Sequence, residues 1–292
     1  MSGSAVFQDR MGLQKQEEMM KLEKDTIEVI AKGMWIGGTM TVPGVSGGSM
    51  AMIMGVYDRL ISAVSSFFKN PKKSMSFLLR FAMGGAVGMV LFSKLITWLL
   101  TTSANVPLRF FFLGAVAGGV PMIYKKAGAL HLSPGAVLYP VLGVLTVVFL
   151  NFLPSGLFNP GEGSGITAFF MQFIGGVIIA IGLVLPGISV SQMLYMLGIY
   201  ETIMGNISSL NVLPLIPLGI GVAGGTFLTA RVLEDLMERH PQATCLIILG
   251  FMIGSLPDLF PGFPSGIGMI FGTVIAFGAG FCVLYAMSLR EG

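Results

Sequence analysis

The sequence predicts an all-α polytopic membrane protein made of two inverted-topology repeats, each a re-entrant or broken helical hairpin followed by about three transmembrane helices. Three observations lead there. Of 292 residues, 54% are hydrophobic and only 11% are charged, too polar-poor a mixture to clothe a water-soluble domain. Apolar runs long enough to cross about 30 Å of hydrocarbon recur along almost the whole chain. A proline–glycine break inside an apolar segment occurs twice, in matching contexts.

Residues 1–25 form a polar N-terminal arm without the apolar core of a signal peptide. The first repeat, 26–154, opens with a hairpin from Ile27 to Phe68 that contains "MTVPGVSGGSMAMIMGVYD" (Met40–Asp58), and continues with the apolar runs Phe77–Leu100, Phe110–Tyr124 and Gly135–Phe152. A linker, 155–166, leads to the second repeat, 167–290. That repeat opens with a hairpin from Ala168 to Ile207 containing "LVLPGISVSQMLYMLGIYE" (Leu183–Glu201), and three further spans follow, among them Val212–Thr229 and Ile267–Met287. The arm of the first hairpin before Pro43 is about 16 residues, short for a full span, which favours re-entry over crossing. Much of the count of 41 glycines is helix packing, because small residues let membrane helices approach closely. Cys245 and Cys282 sit in apolar runs and read as packing residues, and the two cysteines form no metal or disulfide motif.

The two hairpins match residue by residue. Pro43 corresponds to Pro186, Gly44 to Gly187, Ser46 to Ser189, Met50 to Met193, Gly55 to Gly198 and Tyr57 to Tyr200, with Asp58 and Glu201 matching in charge. "GGAVGMVLFSK" around Lys94 resembles "GVAGGTFLTAR" around Arg231, and Gly114, Gly118 and Pro121 recur with one spacing as Gly250, Gly254 and Pro257. Loop charge sets orientation, since Lys and Arg collect on the cytoplasmic side. The basic loops hold Lys15, Lys21, Lys24 and Lys32, then "KNPKK" (Lys69–Lys73), Lys125 and Lys126, Arg239 and Arg290; the intervening loops carry no Lys or Arg. This alternation makes the first hairpin enter from the cytoplasm and the second from outside, the plan of many secondary transporters, with both termini cytoplasmic.

Proline cannot continue a helix cheaply and glycine tolerates turns, so each break starts a new helix inside the membrane, with Ser46 and Ser189 as N-caps. Irregular backbone at that depth needs protein or a water-filled cavity around it. With inverted halves, the free N–H groups and positive helix ends of both breaks can converge near the midplane on an anion, above all a phosphate. The candidate phosphate-binding residues are therefore Pro43, Gly44, Val45, Ser46, Gly47, Gly48 and Ser49 in one copy, and Pro186, Gly187, Ile188, Ser189, Ser191 and Gln192 in the other. Lys94 and Arg231 fall at equivalent places in apolar runs, where a charge costs about 2.5 kcal/mol or more; they either neutralise the phosphate or snorkel to the interface. Arg59 either contacts the phosphate or pairs with Asp58. Glu28, Asp58, Glu201 and Glu234 are candidates for coupling to a proton or sodium ion. Tyr57 and Tyr200 fit an interfacial aromatic belt. No metal or cofactor is expected.

The paired "VPGVSGG" and "LPGIS" breaks, each followed by an apolar helix ending in "GVYD" or "GIYE", resemble the bacterial polyprenyl-phosphate transporter family, over nearly the whole chain from Lys32 to Arg290. The resemblance implies a multi-pass protein of the bacterial plasma membrane that returns undecaprenyl phosphate, the carrier lipid of cell-wall synthesis, from the outer to the cytoplasmic leaflet, with polyprenyl phosphate as its partner. The residues themselves support an anion site at the centre of an inverted repeat. A symporter or channel for a small soluble anion would use the same groups. A lipid phosphatase is less well supplied: "PSGL" at Pro154 and "PSGI" at Pro264 lack the histidine of such enzymes, and the chain has two histidines in all, so the expectation is a protein that is not an enzyme.

Overall fold

In the computed structural model the described residues are 22–42, 44–128, 134–154, 166–209, 211 and 213–291. They are helical throughout, with no strand among them. The helices are α1 (22–39), α2 (Gly47–Ile53), α3 (Tyr57–Ser65), α4 (Pro71–Thr101), α5 (Asn105–Lys126), α6 (Pro134–Phe152), α7 (Ile166–Val184), α8 (Val190–Met196), α9 (Tyr200–Ser208), α10 (Ile216–Arg239), α11 (Pro241–Gly254), α12 (Leu256–Leu259) and α13 (Ile267–Glu291). Six segments among the described residues are long and apolar enough to cross a membrane: α4, α5, α6, α10 with the turn before it, α11 with α12, and α13. The protein is thus a multi-pass membrane protein in which three spans follow each broken segment. Large apolar side chains such as Val90, Phe149 and Phe271 point outward, as lipid-facing helices require.

Local sequence explains where the helices start and stop. Pro71, Pro217 and Pro241 occupy the first turns of α4, α10 and α11, where a missing N–H costs nothing. The expected single helix after each break is instead two. Gly55 and Gly198 take positive φ values of 66° and 72°, so the chain turns after α2 and after α8 and resumes at Tyr57 and Tyr200. The turn is built alike in both places: Val56 N–H reaches Ala51 O at 3.0 Å and Ile199 N–H reaches Leu194 O at 3.1 Å.

The spans pack through glycine. A Cβ on Gly84 or Gly88 of α4 would collide with the α1 carbonyls of Ile30 and Met34, and a Cβ on Gly221 of α10 with the α7 carbonyl of Phe173. Gly114 and Gly118 let α5 lie on Phe277 and Phe281 of α13, while Gly250 and Gly143 bring α11 and α6 together. The halves therefore interlock: α5 packs on α13 and α11 on α6, each pairing a helix that follows the first break with one that follows the second. Backbone contact this close makes every added methyl an overpacking problem, worth about 1–3 kcal/mol. The main buried core joins α2 and α3 to α5 and α11 through Met50, Met52, Ile53, Leu246 and Leu249. A smaller cluster of Ile179, Leu194, Leu197, Ile199 and Ile203 holds α7, α8 and α9. Cys245 is buried, as its apolar context predicts, but Cys282 lies exposed on the outer face of α13.

Candidate functional site

The first break begins where α1 runs out of intrahelical partners. Two threonines absorb its last carbonyls: Thr39 Oγ1 donates to Ile36 O at 2.8 Å and Thr41 Oγ1 to Gly38 O at 2.7 Å. Gly44 then turns the chain with φ 86°, and a Cβ there would lie 2.7 Å from the Asp258 carbonyl oxygen, so both conformation and space demand glycine. Ser46 occupies the N-cap position of α2 with φ −85° and ψ 128°, but its side chain makes no capping bond. The first intrahelical bond runs from Met50 N–H to Ser46 O at 3.0 Å, so the N–H groups of Gly47, Gly48 and Ser49 precede it with no side-chain cap.

The Ser46 hydroxyl is engaged elsewhere. It accepts a hydrogen bond from Gly187 N–H at 3.3 Å, across 141 residues of sequence. Gly187 is the turn residue of the second break, with φ 82°. A Cβ on Gly48 would lie 3.0 Å from Pro186 Cα, so the two breaks touch directly. A second tie crosses the halves at Tyr57, whose phenol donates to the Val184 carbonyl at the end of α7 at 2.7 Å. Tyr57 is 3% exposed. It is therefore no interfacial belt residue, contrary to the expectation from sequence. Tyr200 stacks on Tyr195 with ring centroids 4.0 Å apart.

Where the breaks meet, the protein encloses a cavity of about 540 Å³. Its polar part is made by Gly44 to Gly48, Gly187 to Ser189, Thr226, Ser255 and Asp258; its remaining wall is apolar, from Ile36, Leu60, Ile61, Val64 and Phe81 among others. Thr226 Oγ1, on the cavity wall, is buried without a hydrogen-bond partner among the described residues, an unsatisfied polar group that faces the site. The cavity is not sealed from the surrounding apolar face. Met40 and Leu183, which take equivalent places before the two prolines, both line it and are 47% and 49% exposed. Helices α4 and α10 also contribute to its wall through Phe81, Thr226 and Ala230, and α3 packs on both of them.

Backbone groups of both breaks are thus brought together, whereas the expected cations are not. Lys94 and Arg231 are exposed on α4 and α10 and line no part of this cavity. Arg59 pairs with Asp25 at 2.9 Å and lies over the Phe77 ring at 4.8 Å; Asp58 pairs instead with Lys126. Glu234 accepts a hydrogen bond from Ser65. Asp58 and Glu234 face a separate cavity of about 250 Å³ beside α3, with Lys126 and Glu238. Glu28 pairs with Lys32 at 3.0 Å within α1, and Glu201 is exposed in the first turn of α9. Pro43 and the side chains of Ser191 and Gln192 lie outside the described residues. Sequence reasoning missed Thr226, Ser255 and Asp258; Asp258 reads as a loop residue, and only the folding of α12 against Gly44 carries it to the cavity. Since α2 and α8 have seven residues each, about two turns, their dipoles are short, and uncapped N–H groups are the larger part of any attraction for an anion.

The family model described as undecaprenyl phosphate translocase-like matches residues 36–266. A protein of Staphylococcus aureus named polyprenyl-phosphate transporter is 32% identical over 266 residues, covering 87% of this chain and 93% of its own. A Vibrio cholerae protein of the same name is 26% identical over 244 residues, covering 79% of this chain and 76% of its own. No solved structure matches the chain. The matched segment begins in α1 just before the first break and ends beyond α12, so it contains both breaks and the cavity between them: this chain belongs to the undecaprenyl phosphate translocase-like family.

Proposed function

We propose that this protein moves a polyprenyl phosphate between membrane leaflets, with the phosphate held where the two breaks meet. One observation carries the reading: uncapped N–H groups of a broken helix face a cavity whose apolar edge opens to the exterior at Met40 and Leu183, both about half exposed. A phosphate finds hydrogen-bond donors there, and a hydrophobic tail has a sideways path to lipid. An enclosed aqueous passage for a small soluble anion would need no such gap, so the geometry favours the lipid.

In this reading residues 26–154 and 167–290 are repeats of inverted topology. The matching turns at Gly44 and Gly187 and at Gly55 and Gly198, the crossed pairing of α5 with α13 and of α11 with α6, and the alternating loop charges support it. Rocking of the halves about the touching breaks then exposes the site to one leaflet at a time. Recycling runs from the outer to the cytoplasmic leaflet of a bacterial plasma membrane, with both termini cytoplasmic. The headgroup contacts are the backbone of Gly44 to Ser49 and of Pro186 to Ser189, with Ser46 and Ser189 as hydroxyl donors. Glu234 and Asp58, beside α3, are the coupling acids best placed to sense its movement; the driving ion is a proton or sodium. No bond is made or broken.

The test is transbilayer movement of a labelled polyprenyl phosphate in liposomes containing the purified protein, with and without proton and sodium gradients. Movement well above protein-free liposomes is expected. Movement at the protein-free rate under every gradient sinks the lipid reading, and uptake of inorganic phosphate in its place would establish the soluble-anion alternative.

A further inference from the structure

The cavity is larger than a phosphate needs. At one water volume, roughly 30 Å³, per heavy atom, a five-atom phosphate takes at most about 150 Å³ of the 540 Å³ present. The remainder is not polar space. It is walled by Leu60, Ile61 and Val64 of α3, Phe81 of α4 and Ala230 of α10, and at the same volume per atom it holds roughly two to three five-carbon isoprene units.

The direction of that wall follows from α3. Tyr57, at its start, is hydrogen-bonded to the second break. Leu60, Ile61 and Val64 follow one to two turns further on, so the apolar wall extends about 10 Å from the break along the helix axis. The cavity's open edge is at Met40 and Leu183, both about half exposed.

Resting on the reading above, we infer that this apolar chamber is a binding site for the first isoprene units next to the phosphate, and that the protein selects its substrate by this proximal, methyl-branched segment as well as by the headgroup. The distal tail stays in lipid. A pocket of mostly apolar wall with a few convergent polar groups is the usual form of a small-molecule site. Shape differences inside such a wall discriminate ligands by about 10- to 200-fold.

The experiment is competition against labelled polyprenyl phosphate movement in proteoliposomes, using farnesyl phosphate, straight-chain dodecyl phosphate and inorganic phosphate below bilayer-perturbing concentrations. Farnesyl phosphate is expected to compete at a concentration at least about tenfold lower than dodecyl phosphate, and inorganic phosphate not to compete. Val64→Phe, which fills the chamber, should weaken farnesyl phosphate competition about tenfold, and Phe81→Ala, which widens it, should bring farnesyl and dodecyl phosphate closer together. Unchanged elution and thermal unfolding of both variants separate these effects from misfolding. Equal competition by the two lipids in the wild type, or competition by inorganic phosphate matching that of farnesyl phosphate, overturns the chamber while leaving lipid transport intact. Absence of any protein-dependent lipid movement overturns both.

Discussion

The two breaks have the same backbone turn but unequal means of satisfying it. The first carries its own hydroxyls: Thr39 and Thr41 take the last carbonyls of α1. At the matching positions the second has Gly182 and Val184, which have none. Its Val184 carbonyl is taken by Tyr57, and its Gly187 N–H by Ser46, both from the first half. The second break is therefore completed by the first. Burial follows the same asymmetry: α2 and α3 sit in the main core with α5 and α11, and α3 packs on α10, whereas α8 and α9 share a small cluster with α7. Sequence likeness between repeats fixes a turn, but not which partner satisfies the groups the turn exposes.

The strongest way to break this comparison is to push the breaks apart. Gly48→Val places side-chain atoms where Pro186 Cα already leaves only 3.0 Å for a Cβ. Transport is expected to fall to the protein-free rate in proteoliposomes while the protein still inserts; full activity would mean that contact between the breaks is incidental. Ser46→Leu and Ser189→Leu come next. Each removes a hydroxyl from the cavity wall, and the first also strands the Gly187 N–H of the opposite half, so transport should drop by about a hundredfold for Ser46→Leu and by about tenfold or more for Ser189→Leu. Equal losses would make the halves functionally equivalent despite their different bonding.

Stability should report the same asymmetry more gently. Tyr57→Phe leaves the Val184 carbonyl without its donor and should cost about 1–3 kcal/mol, seen as a lower unfolding temperature in detergent. Tyr200→Phe, on a half-buried ring stacked against Tyr195, should stay within about 0.5 kcal/mol. If the two variants unfold together, the hydrogen bond across the halves is not a significant support. Lys94→Met and Arg231→Met should alter headgroup affinity by less than about threefold, under 1 kcal/mol, because both side chains lie outside the cavity. A tenfold loss would show that these cations reach the phosphate in another conformation. The smallest effect belongs to Arg59→Ala, which removes a half-exposed pair with Asp25 and should lower stability by at most about 1 kcal/mol.

Much of this was legible in advance because it rests on local chemistry. Pro and Gly in an apolar run announce a broken helix whatever surrounds it, and α1 and α7 do end just before Pro43 and Pro186. Gly114, Gly118, Gly250 and Gly254 also recur visibly. Yet nothing in their spacing says that α5 would lie on α13 and α6 on α11, since glycine permits close approach without naming the partner. Lys94 and Arg231 could be read two ways for a related reason: a charge in an apolar run is conspicuous in one dimension, but the face of the helix it occupies depends on which side is packed. Asp258 and Thr226 were inconspicuous for the converse reason, one in a loop and one in an ordinary apolar run, and both became cavity residues through packing.

By itself the sequence determined the membrane class, the two breaks, the three spans after each and the residue types at the turns, because hydropathy, proline's missing N–H and glycine's free φ act over a few neighbouring residues. Only the tertiary structure decided that the breaks touch, that Ser46 and Tyr57 serve the opposite half, and that their meeting place opens into an apolar chamber, because an unsatisfied backbone group takes whichever donor or acceptor the folded chain brings within about 3 Å.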